Sequence, residues 1–501
     1  MNCEGVCMSQ PLSQTHVLLF PFMSKGHTIP ILHLARRLLL RHSAAGIITV
    51  TLFTTPANLP FVSSSLSDLP PDRISLVTLP FPHDIPGVPP HVESTDQLPT
   101  MSLFPEFASA TFAMKPHFER SLQSLAGPSP VFLVSDGFLW WTLESASRFG
   151  IPRLVFYGMN TYAMAVSRSV VEEELFDGPA SDDEPVALKE FPWIKVTKND
   201  FDPNFRKPGK VYADFFANTV LATNQSYGMV VNSYQELESV FLEKWNTKWG
   251  PKAWCVGPFC PLEPRELSPE SGLRKWLDDK LTQGRRVLYV AFGSQAELSD
   301  KQIKEIGIGL ENSGVSFLWV MQKKATEEEE DCDGDCSKLD FGAGVKAKVK
   351  GQGVVVKGWV DQGAVLQHGS IQGFMSHCGW NSILESICVG VPLLAWPMTA
   401  EQPLNARMLT EEIGAAIKVE TENGSVRGFV TCEVMERAVR DLMEKERGEA
   451  VGKRVAELRD MARKATEPGG SSWMALEDLI ANVSLEKIKM AGKLSANSDA
   501  N

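Results

Sequence analysis

The stretch IQGFMSHCGWNSILESICVG, residues 371–390, reads as a buried strand, a tight turn and a helix. The strand is IQGFMS (371–376), the helix is SILESICVG (382–390), and Gly379 between them lets the backbone turn tightly. A short apolar strand that leads into a helix is the repeating unit of parallel α/β folds. This stretch therefore predicts such a fold, with the turn at the carboxyl end of a strand.

Three kinds of site could use the residues of this turn. A metal site is disfavoured because His377 and Cys378 are adjacent and point in different directions, and no CxxC or HxxxH partner lies nearby. A cysteine nucleophile needs a base that a third group orients, and the neighbouring histidine is badly placed for that role. We therefore interpret Cys378 as a small buried residue.

The third kind of site, a phosphate or diphosphate cradle, fits the turn best. Asn381 and Ser382 lie at the predicted helix N-terminus, where free N–H groups and the helix dipole attract anions, and His377 can add a donor. Ligands of open α/β sheets bind at the carboxyl ends of the strands, where this turn lies. A plain capped helix stays open as the alternative, because Asn and Ser also serve as N-caps.

The same alternation of strands and helices runs along the chain of 501 residues, which is too long for a single core. The predicted strands are 16–22, 47–53, 131–136, 153–157 and 229–233 in the first half and 287–292, 317–321, 354–359, 371–376 and 393–396 in the second. Helical patterns include 29–40, 431–446 and 451–466.

A proline-rich segment, WCVGPFCPLEPRELSP, divides these halves and is interpreted as a linker. The predicted organisation is a first domain at 1–253, the linker at 254–269, a second domain at 270–472, a last helix at 473–489 and a disordered polar tail at 490–501. The acidic segment 323–340 is interpreted as a solvated loop. A metal site at its Cys332 and Cys336 would lack histidines and a second cysteine pair.

Composition limits the classes of partner. The formal net charge of -12 argues against nucleic acid or an anionic membrane as the main partner, since both attract basic surfaces. No apolar run reaches the ~18 residues of a membrane span, and no basic leader precedes an apolar run at the N-terminus. The nine cysteines are scattered and odd in number, which suits free thiols in a reducing compartment. We expect a cytoplasmic monomer, not inserted in a membrane, whose partners are small molecules.

A second candidate site lies at two strand ends in the first half of the chain. His27 in FPFMSKGH follows the first strand and opens the next helix, and Asp136 ends the strand VFLVSD. Neighbouring strands of one sheet can bring these side chains together, and a carboxylate that hydrogen-bonds an imidazole orients it as a general base. The alternatives are a structural histidine and an ordinary helix cap at Asp136.

The 44 residues WVDQGAVLQHGSIQGFMSHCGWNSILESICVGVPLLAWPMTAEQ, 359–402, closely resemble the signature box of the plant UDP-dependent glycosyltransferases of family 1. The likeness extends to FMSKGH (22–27), SDGF (135–138) and AFGS (291–294). It implies the GT-B fold, two Rossmann-like domains with a cleft between them, and a last helix that crosses back onto the first domain. Asp361 stands where the family most often has proline, and AFGSQ stands where SFGS is commoner.

The resemblance also implies which residues bind a UDP-sugar. Uracil and ribose contacts are implied for Trp359, Val360, Gln362 and Glu385. Diphosphate contacts are implied for Ser294, His377, Asn381 and Ser382. Sugar contacts are implied for Trp380, Glu401 and Gln402, and the final glutamine favours UDP-glucose as the donor.

By the same likeness, His27 is the catalytic base and Asp136 its partner in a direct, inverting transfer that uses no metal and no cofactor beyond the donor. The expected acceptor is a hydroxyl of a small lipophilic molecule such as a flavonoid or another phenol. Its pocket is expected in the first domain, built from loops near His27 and from residues 80–105, 138–141 and 180–205, with apolar walls at 81–94 and 191–202. A silent UDP-sugar-binding protein and a nucleotide-sugar epimerase or hydrolase remain the alternatives.

Overall fold

The computed structural model describes residues 14–40, 47–179, 181–260, 265–293, 295–296, 298–321, 346–350, 352–426 and 428–498. Three features named above lie outside these ranges: the expected diphosphate contact Ser294, the acidic segment 323–340, and its cysteines Cys332 and Cys336.

Parallel sheets form the centres of both halves of the described chain. The strands of the first half are β1 (Gln14–Phe20), β2 (Ile47–Thr54), β3 (Ile74–Thr78), β4 (Phe132–Asp136), β5 (Arg153–Tyr157), β6 (Val186–Ala187), β7 (Lys195–Val196), β8 (Gly228–Val231) and β9 (Ala253–Cys255). β6 and β7 form a separate antiparallel pair. The others form a parallel sheet in the order β3-β2-β1-β4-β5-β8-β9.

The second half contains its own sheet. Its strands are β10 (Val287–Ala291), β11 (Ser316–Met321), β12 (Lys346–Lys350), β13 (Gly353–Lys357), β14 (Ile371–Ser376), β15 (Leu393–Ala395) and β16 (Ala416–Lys418). Their order is β12-β13-β11-β10-β14-β15-β16, with β12 antiparallel to β13 and the rest parallel. The two sheets confirm the predicted GT-B fold of two Rossmann-like domains.

Helices connect the strands and pack on the sheets. In chain order, the α-helices of the described residues are α1 (Lys25–Leu40), α2 (Leu59–Ser65), α3 (Phe104–Ala110), α4 (Lys115–Gln123), α5 (Thr142–Arg148), α6 (Thr161–Glu172), α7 (Pro203–Arg206), α8 (Lys210–Gln225), α9 (Gln235–Lys244), α10 (Gly272–Thr282), α11 (Asp300–Asn312), α12 (Gln362–Leu366), α13 (Trp380–Val389), α14 (Gln402–Arg407), α15 (Cys432–Met443), α16 (Glu446–Thr466) and α17 (Ser471–Ser498). None of the described helices is long and apolar enough to cross a membrane.

Four strands of the two seven-stranded sheets are absent from the predicted set: β3, β9, β12 and β16. β3 is a short edge strand with no fully buried residue, and Ser75 interrupts its apolar residues, so it lacks the continuous apolar run of the central strands. β16 has only three residues, and β9 lies at the start of the proline-rich segment. Because β9 belongs to the first sheet, the predicted linker at 254–269 begins inside that sheet rather than after it.

The end of the chain also differs from the prediction. The last helix, α17, extends beyond the predicted 473–489, so the tail predicted to be disordered from residue 490 is helical as far as Ser498. Helix α17 packs on the first sheet through buried Leu476, Leu479, Ile480 and Val483, which join a core cluster of that domain. Their spacing of three and four residues places them on one face of the helix.

This arrangement brings the carboxyl ends of strands from both sheets to a common cleft. The cleft has a volume of about 1500 Å³. Loops that follow β1 and β4 line it from the first domain, and loops that follow β10, β14 and β15 line it from the second. Both sites expected from the sequence therefore face the same cavity.

Candidate active site

His27 and Asp136, which the sequence places at two strand ends, are directly hydrogen-bonded. His27 lies in the first turn of α1, Asp136 is the last residue of β4, and β1 and β4 are neighbours in the sheet. The Nδ1 atom of His27 lies 2.6 Å from Oδ2 of Asp136. Because an ionised carboxylate can only accept, Nδ1 carries the proton and Nε2 keeps its lone pair. Nε2 is therefore the atom that can accept a proton from a substrate.

Asp136 is completely buried, while His27 keeps about a fifth of its side chain exposed. The other carboxylate oxygen, Oδ1, accepts from the backbone N–H of Phe138 at 3.0 Å. These two bonds occupy both oxygens of Asp136. The carboxylate therefore fixes the ring of His27 and is not simply a cap on the following helix.

Aromatic rings and a glycine shape the surroundings of His27. The rings of Phe22 and Phe138 lie 5.8 Å and 5.0 Å from the imidazole, measured between centroids. A Cβ atom at Gly158 would lie 3.5 Å from Nε2, so a larger side chain would fill the space in front of this nitrogen. The acceptor side of His27 is thus apolar and open.

Burial alone would lower the pKa of His27, because a charged imidazolium is poorly solvated there. Attraction to Asp136, the hydrogen bond to it, and attraction to Glu401 outweigh burial, so the pKa of His27 is raised above its ordinary value. The site therefore stabilises the protonated form that a general base produces.

The turn after β14 holds His377 between two glycines. A Cβ atom at Gly293 or Gly379 would come within 2.7 Å or 2.5 Å of Nε2 of His377, so both positions require glycine. Nδ1 of His377 is buried without a hydrogen-bond partner among the described residues. Burial lowers the pKa of His377 to about 4, so the ring is neutral at physiological pH.

The same turn excludes two of the alternatives raised by its sequence. The N-cap of α13 is Gly379, with no side-chain cap bond, so Asn381 and Ser382 lie inside the first turn instead of capping the helix. Cys378 is fully buried, burial raises the pKa of its thiol, and its Sγ contacts the carbonyl of Ser376. It is therefore no nucleophile. In the described parts of the chain, no group of three His, Cys, Asp or Glu side chains is arranged to hold a metal.

Asn381 joins the two sides of the cleft. Its Nδ2 donates to the carbonyl of Gly26, next to His27, at 2.5 Å, and its Oδ1 accepts from Asn232 at 3.3 Å. The expected diphosphate contact is therefore also a contact between the domains. It places the N-terminus of α13 beside the N-terminus of α1.

Gln362, Ser382 and Glu385 form one cluster at another part of the cleft. Nε2 of Gln362 donates to the hydroxyl of Ser382 at 3.0 Å and to Glu385 at 2.7 Å. Burial raises the pKa of Glu385, partly offset by the bond from Gln362. Of the three, Ser382 was expected at the diphosphate, and the structure places it with the two expected ribose contacts.

Trp359 and Val360 lie beside this cluster on the cleft wall. The side chain of Trp359 is 66% exposed, unusual for so large an apolar residue, and its ring is free to stack on a planar ligand. Asp361, which stands where the family most often has proline, caps α12 by accepting from the N–H of Ala364 at 3.2 Å. The substitution is thus compatible with the loop.

Glu401 ends the loop that follows β15, and Gln402 is the first residue of α14. Burial raises the pKa of Glu401. Oε1 of Gln402 accepts from the backbone N–H groups of Met398 and Thr399, both at 3.0 Å, which leaves its NH₂ group for a ligand. The indole of Trp380, in contrast, is only 2% exposed, and its N–H donates to the carbonyl of Asn232. Its side chain thus packs between the domains and offers no free polar group to a sugar.

Sequence reasoning missed the buried amides that support these loops. Asn405 of α14 contacts both the turn after β14 and Glu401, and Asn160 of the first domain contacts Asn405. The backbone carbonyl of Asn232 accepts from the indole of Trp380, and its side-chain NH₂ group donates to Asn381. The residues that bond between the two domains are more than 140 positions apart in sequence. No local sequence pattern can therefore indicate these bonds.

The expected acceptor walls are partly wrong. Phe81, Ile85, Val88 and Val92 of the stretch 81–94 are buried in the core of the first domain. Most apolar residues of 191–202 are buried as well, and only Asp202 of that stretch lines the cleft. Residues of the first domain that line the cleft include Phe22, Thr100, Met101, Phe104, Phe138 and Tyr212, and all of these but Tyr212 lie in stretches expected to build the acceptor pocket.

Comparisons with known proteins agree with this geometry. The family described as UDP-glucoronosyl and UDP-glucosyl transferase matches residues 277–448. UDP-glycosyltransferase 90A1 of Arabidopsis thaliana is 50% identical over 481 residues, which cover 94% of this chain and 97% of that protein. The UDP-glucose flavonoid 3-O-glucosyltransferase 7 of Fragaria ananassa is 33% identical, with 94% and 96% of the two chains covered.

A solved structure gives the same result for the whole fold. Phytolacca americana UGT2, complexed with UDP-2fluoro-glucose and pterostilbene, matches with a TM-score of 0.75 and 27% identity. The match covers 94% of this chain and 100% of that one. The chain therefore belongs to the plant family 1 UDP-glycosyltransferases.

Proposed function

We propose that this enzyme transfers glucose from UDP-glucose, with inversion, to a hydroxyl of a small lipophilic acceptor such as a flavonoid or another phenol. The observation that carries the proposal is the 2.6 Å bond between His27 and the buried Asp136, with Nε2 facing an aromatic pocket. A relative named for flavonoids and a structure that contains a glucose donor analogue and a stilbene support the donor and the acceptor class.

In the proposed mechanism, Nε2 of His27 removes the proton of the acceptor hydroxyl. The oxygen attacks the anomeric carbon from the face opposite UDP, and the bond between that carbon and the diphosphate breaks. Asp136 stabilises the imidazolium that results. A phenol, with an ordinary pKa near ~10, gives up its proton to imidazole more readily than an aliphatic alcohol does.

We propose that the donor binds to the second domain, and the positions of the remaining residues in the cleft support this. Trp359 and Val360 would hold the uracil, and Gln362 and Glu385 would hold the ribose. His377 and the N-terminus of α13 would stabilise the departing diphosphate, because neutral N–H donors in a buried site favour developing negative charge. We propose that no metal takes part, since these N–H donors can stabilise the negative charge of the diphosphate.

Glu401 and Gln402 are the proposed sugar contacts. A half-buried carboxylate and the free NH₂ group of an amide can together engage several hydroxyls of a hexose. Glu401 also attracts His27, so the sugar-binding loop and the base lie close enough to interact electrostatically. This closeness fits a reaction in which the acceptor oxygen and the anomeric carbon must meet.

The test is incubation of the purified protein with UDP-glucose and a panel that includes pterostilbene, flavonols and aliphatic alcohols. A mass gain of one hexose on a phenolic compound, with a β-linkage by NMR, is the expected result. A conversion of UDP-glucose to another UDP-sugar would favour the epimerase alternative. Release of free glucose without any glycoside would favour a hydrolase, and tight UDP-glucose binding without either reaction would indicate a silent binder.

A further inference from the structure

A chain of buried amides connects the first domain to two loops of the donor site. Asn160, the N-cap of α6, accepts from the N–H of Ala163 at 2.7 Å through its Oδ1. Its Nδ2 donates to Oδ1 of Asn405 at 2.8 Å. Both asparagines are completely buried. The backbone N–H of Ala163 can only donate, so the oxygen of the Asn160 amide must face it and the NH₂ group must face Asn405. The oxygen of the Asn405 amide therefore faces Asn160, and its NH₂ group points away from Asn160.

The NH₂ group of Asn405 serves two separate loops. It donates to the carbonyl of Cys378 at 2.9 Å, in the turn that carries His377, and it lies 3.4 Å from Oε1 of Glu401. The first loop follows β14 and the second follows β15. One side chain thus joins the two loops of the second domain whose positions decide where the diphosphate and the sugar can lie.

Both loops contain a strained residue. Cys378 has a φ of 64° and Ala400 a φ of 54°, a region that residues other than glycine rarely adopt. Such conformations persist only when neighbouring bonds impose them. Asn405 donates to the carbonyl of Cys378 and contacts the side chain of Glu401, the residue that follows Ala400.

We propose that Asn405 is a positioning residue for glycosyl transfer, which sets the turn of His377 and the carboxylate of Glu401 in register and which Asn160 orients from the first domain. The inference rests on the proposed roles of His377 and Glu401. In this arrangement the donor loops take their final geometry only when the first domain, with His27, is seated against them.

A purely structural role makes a different prediction. A buried amide pair that only holds the domains together would change the stability of the protein on mutation and leave the kinetics of the folded enzyme as they were. A positioning role lowers turnover in folded protein, because a small displacement of groups around the reacting atoms is costly. Kinetics and stability must therefore be measured on the same samples.

Asn160→Asp is the sharpest variant. The carboxylate can still cap α6 by accepting from Ala163, but it cannot donate to Asn405. The amide of Asn405 would then rotate to donate to residue 160, and its oxygen would face the carbonyl of Cys378. Asn405→Asp directly removes the NH₂ group that donates to the carbonyl of Cys378 and contacts Glu401. Gln302→Glu is the matched control, since the buried Gln302 binds the N–H and carbonyl of Val430 in the same way and does not line the cleft.

The wild-type enzyme is assayed first with UDP-glucose and the phenol from the panel that it glucosylates fastest. A wild-type protein that transfers no glucose would contradict the proposed function and not the role of Asn405. With active wild type, we expect Asn160→Asp and Asn405→Asp each to lower kcat/KM for UDP-glucose about tenfold or more. The affinity for UDP alone, by calorimetry, should fall much less than kcat/KM does, because only the diphosphate of UDP contacts the turn of His377 and the uridine contacts lie elsewhere.

Gln302→Glu should lower the unfolding midpoint and keep the kcat/KM of the wild type. Unchanged kcat/KM in Asn160→Asp would overturn the proposal, whatever its stability. Equal losses of UDP affinity and kcat/KM would overturn it as well, because they would show a general loss of donor binding. If Asn405→Asp does not fold, Asn160→Asp decides alone, since it preserves both the helix cap and Asn405.

Discussion

The imidazole of His27 has one nitrogen bound to Asp136 and the other directed to the cleft, so substitution should separate chemistry from binding. We expect His27→Ala to lower turnover by at least ~100-fold, the usual contribution of a general base, and to leave UDP affinity unchanged. Turnover and calorimetry on the same preparation check this. His83→Ala, at an exposed histidine that lies outside the cleft, is the control. Full activity in His27→Ala would contradict the assignment of the base.

The pH dependence of the reaction should report the raised pKa of His27. Because the base must be deprotonated, kcat/KM should rise with pH through this pKa, which lies above the ordinary value of 6.5. Asp136→Asn removes the attraction that raises it, so burial dominates and the acidic limb of the profile should move to lower pH. Profiles of kcat/KM for both proteins test the shift. An unmoved limb would mean that another group titrates.

Two tryptophans of the signature box should behave in opposite ways. Trp359→Ala should weaken UDP binding roughly tenfold, since stacking of a base on an aromatic ring contributes about 1–3 kcal/mol. Its ring is 66% exposed, so the unfolding midpoint should stay that of the wild type. Trp380→Ala should instead lower the midpoint, because removal of a buried tryptophan costs about 3–5 kcal/mol. Calorimetry with UDP and urea unfolding of each variant distinguish the two.

The strands and helices that the sequence predicts well are those with strong local signals. The strand β14 has the predicted bounds 371–376, because it is short, apolar and followed by a glycine turn. Helix α13 ends where Gly390 adopts a φ of 82°, a usual helix C-terminal signal. The break between α15 and α16 was misplaced, since Glu444 and Lys445 carry no glycine or proline to mark it.

Helix α17 should stabilise the first domain although it follows the second in sequence. Leu479 is 1% exposed in the core of the first domain, and Leu485 of the same helix is 59% exposed. We expect Leu479→Ala to cost about 2–5 kcal/mol in the free energy of unfolding. Leu485→Ala is the matched control and should cost under about 0.5 kcal/mol. Equal effects in urea unfolding would contradict the packing of this helix on the sheet.

At the scale of the whole molecule, sequence reasoning gave the fold class, the pairing of His27 with Asp136 and the location of the donor box. It could not predict the contacts between the domains, because these depend on how the two sheets are positioned relative to each other. Asn381 illustrates the limit: its position at a helix N-terminus predicts an anion contact, and its bond to Gly26 appears only in three dimensions. The buried wall at 81–94 failed for the same reason, since aromatic and proline content does not distinguish a core from a pocket.

The cleft is one continuous cavity of about 1500 Å³, lined by both domains from Phe104 at the proposed acceptor end to Trp359 at the proposed donor end. A single compound that joins a phenol to a uridine through a linker of suitable length could occupy both ends at once. Its second half would bind at the effective concentration that the linker sets, without a second loss of translational freedom. The shape of the cavity thus makes bisubstrate inhibitors a natural route to selective ligands for this enzyme.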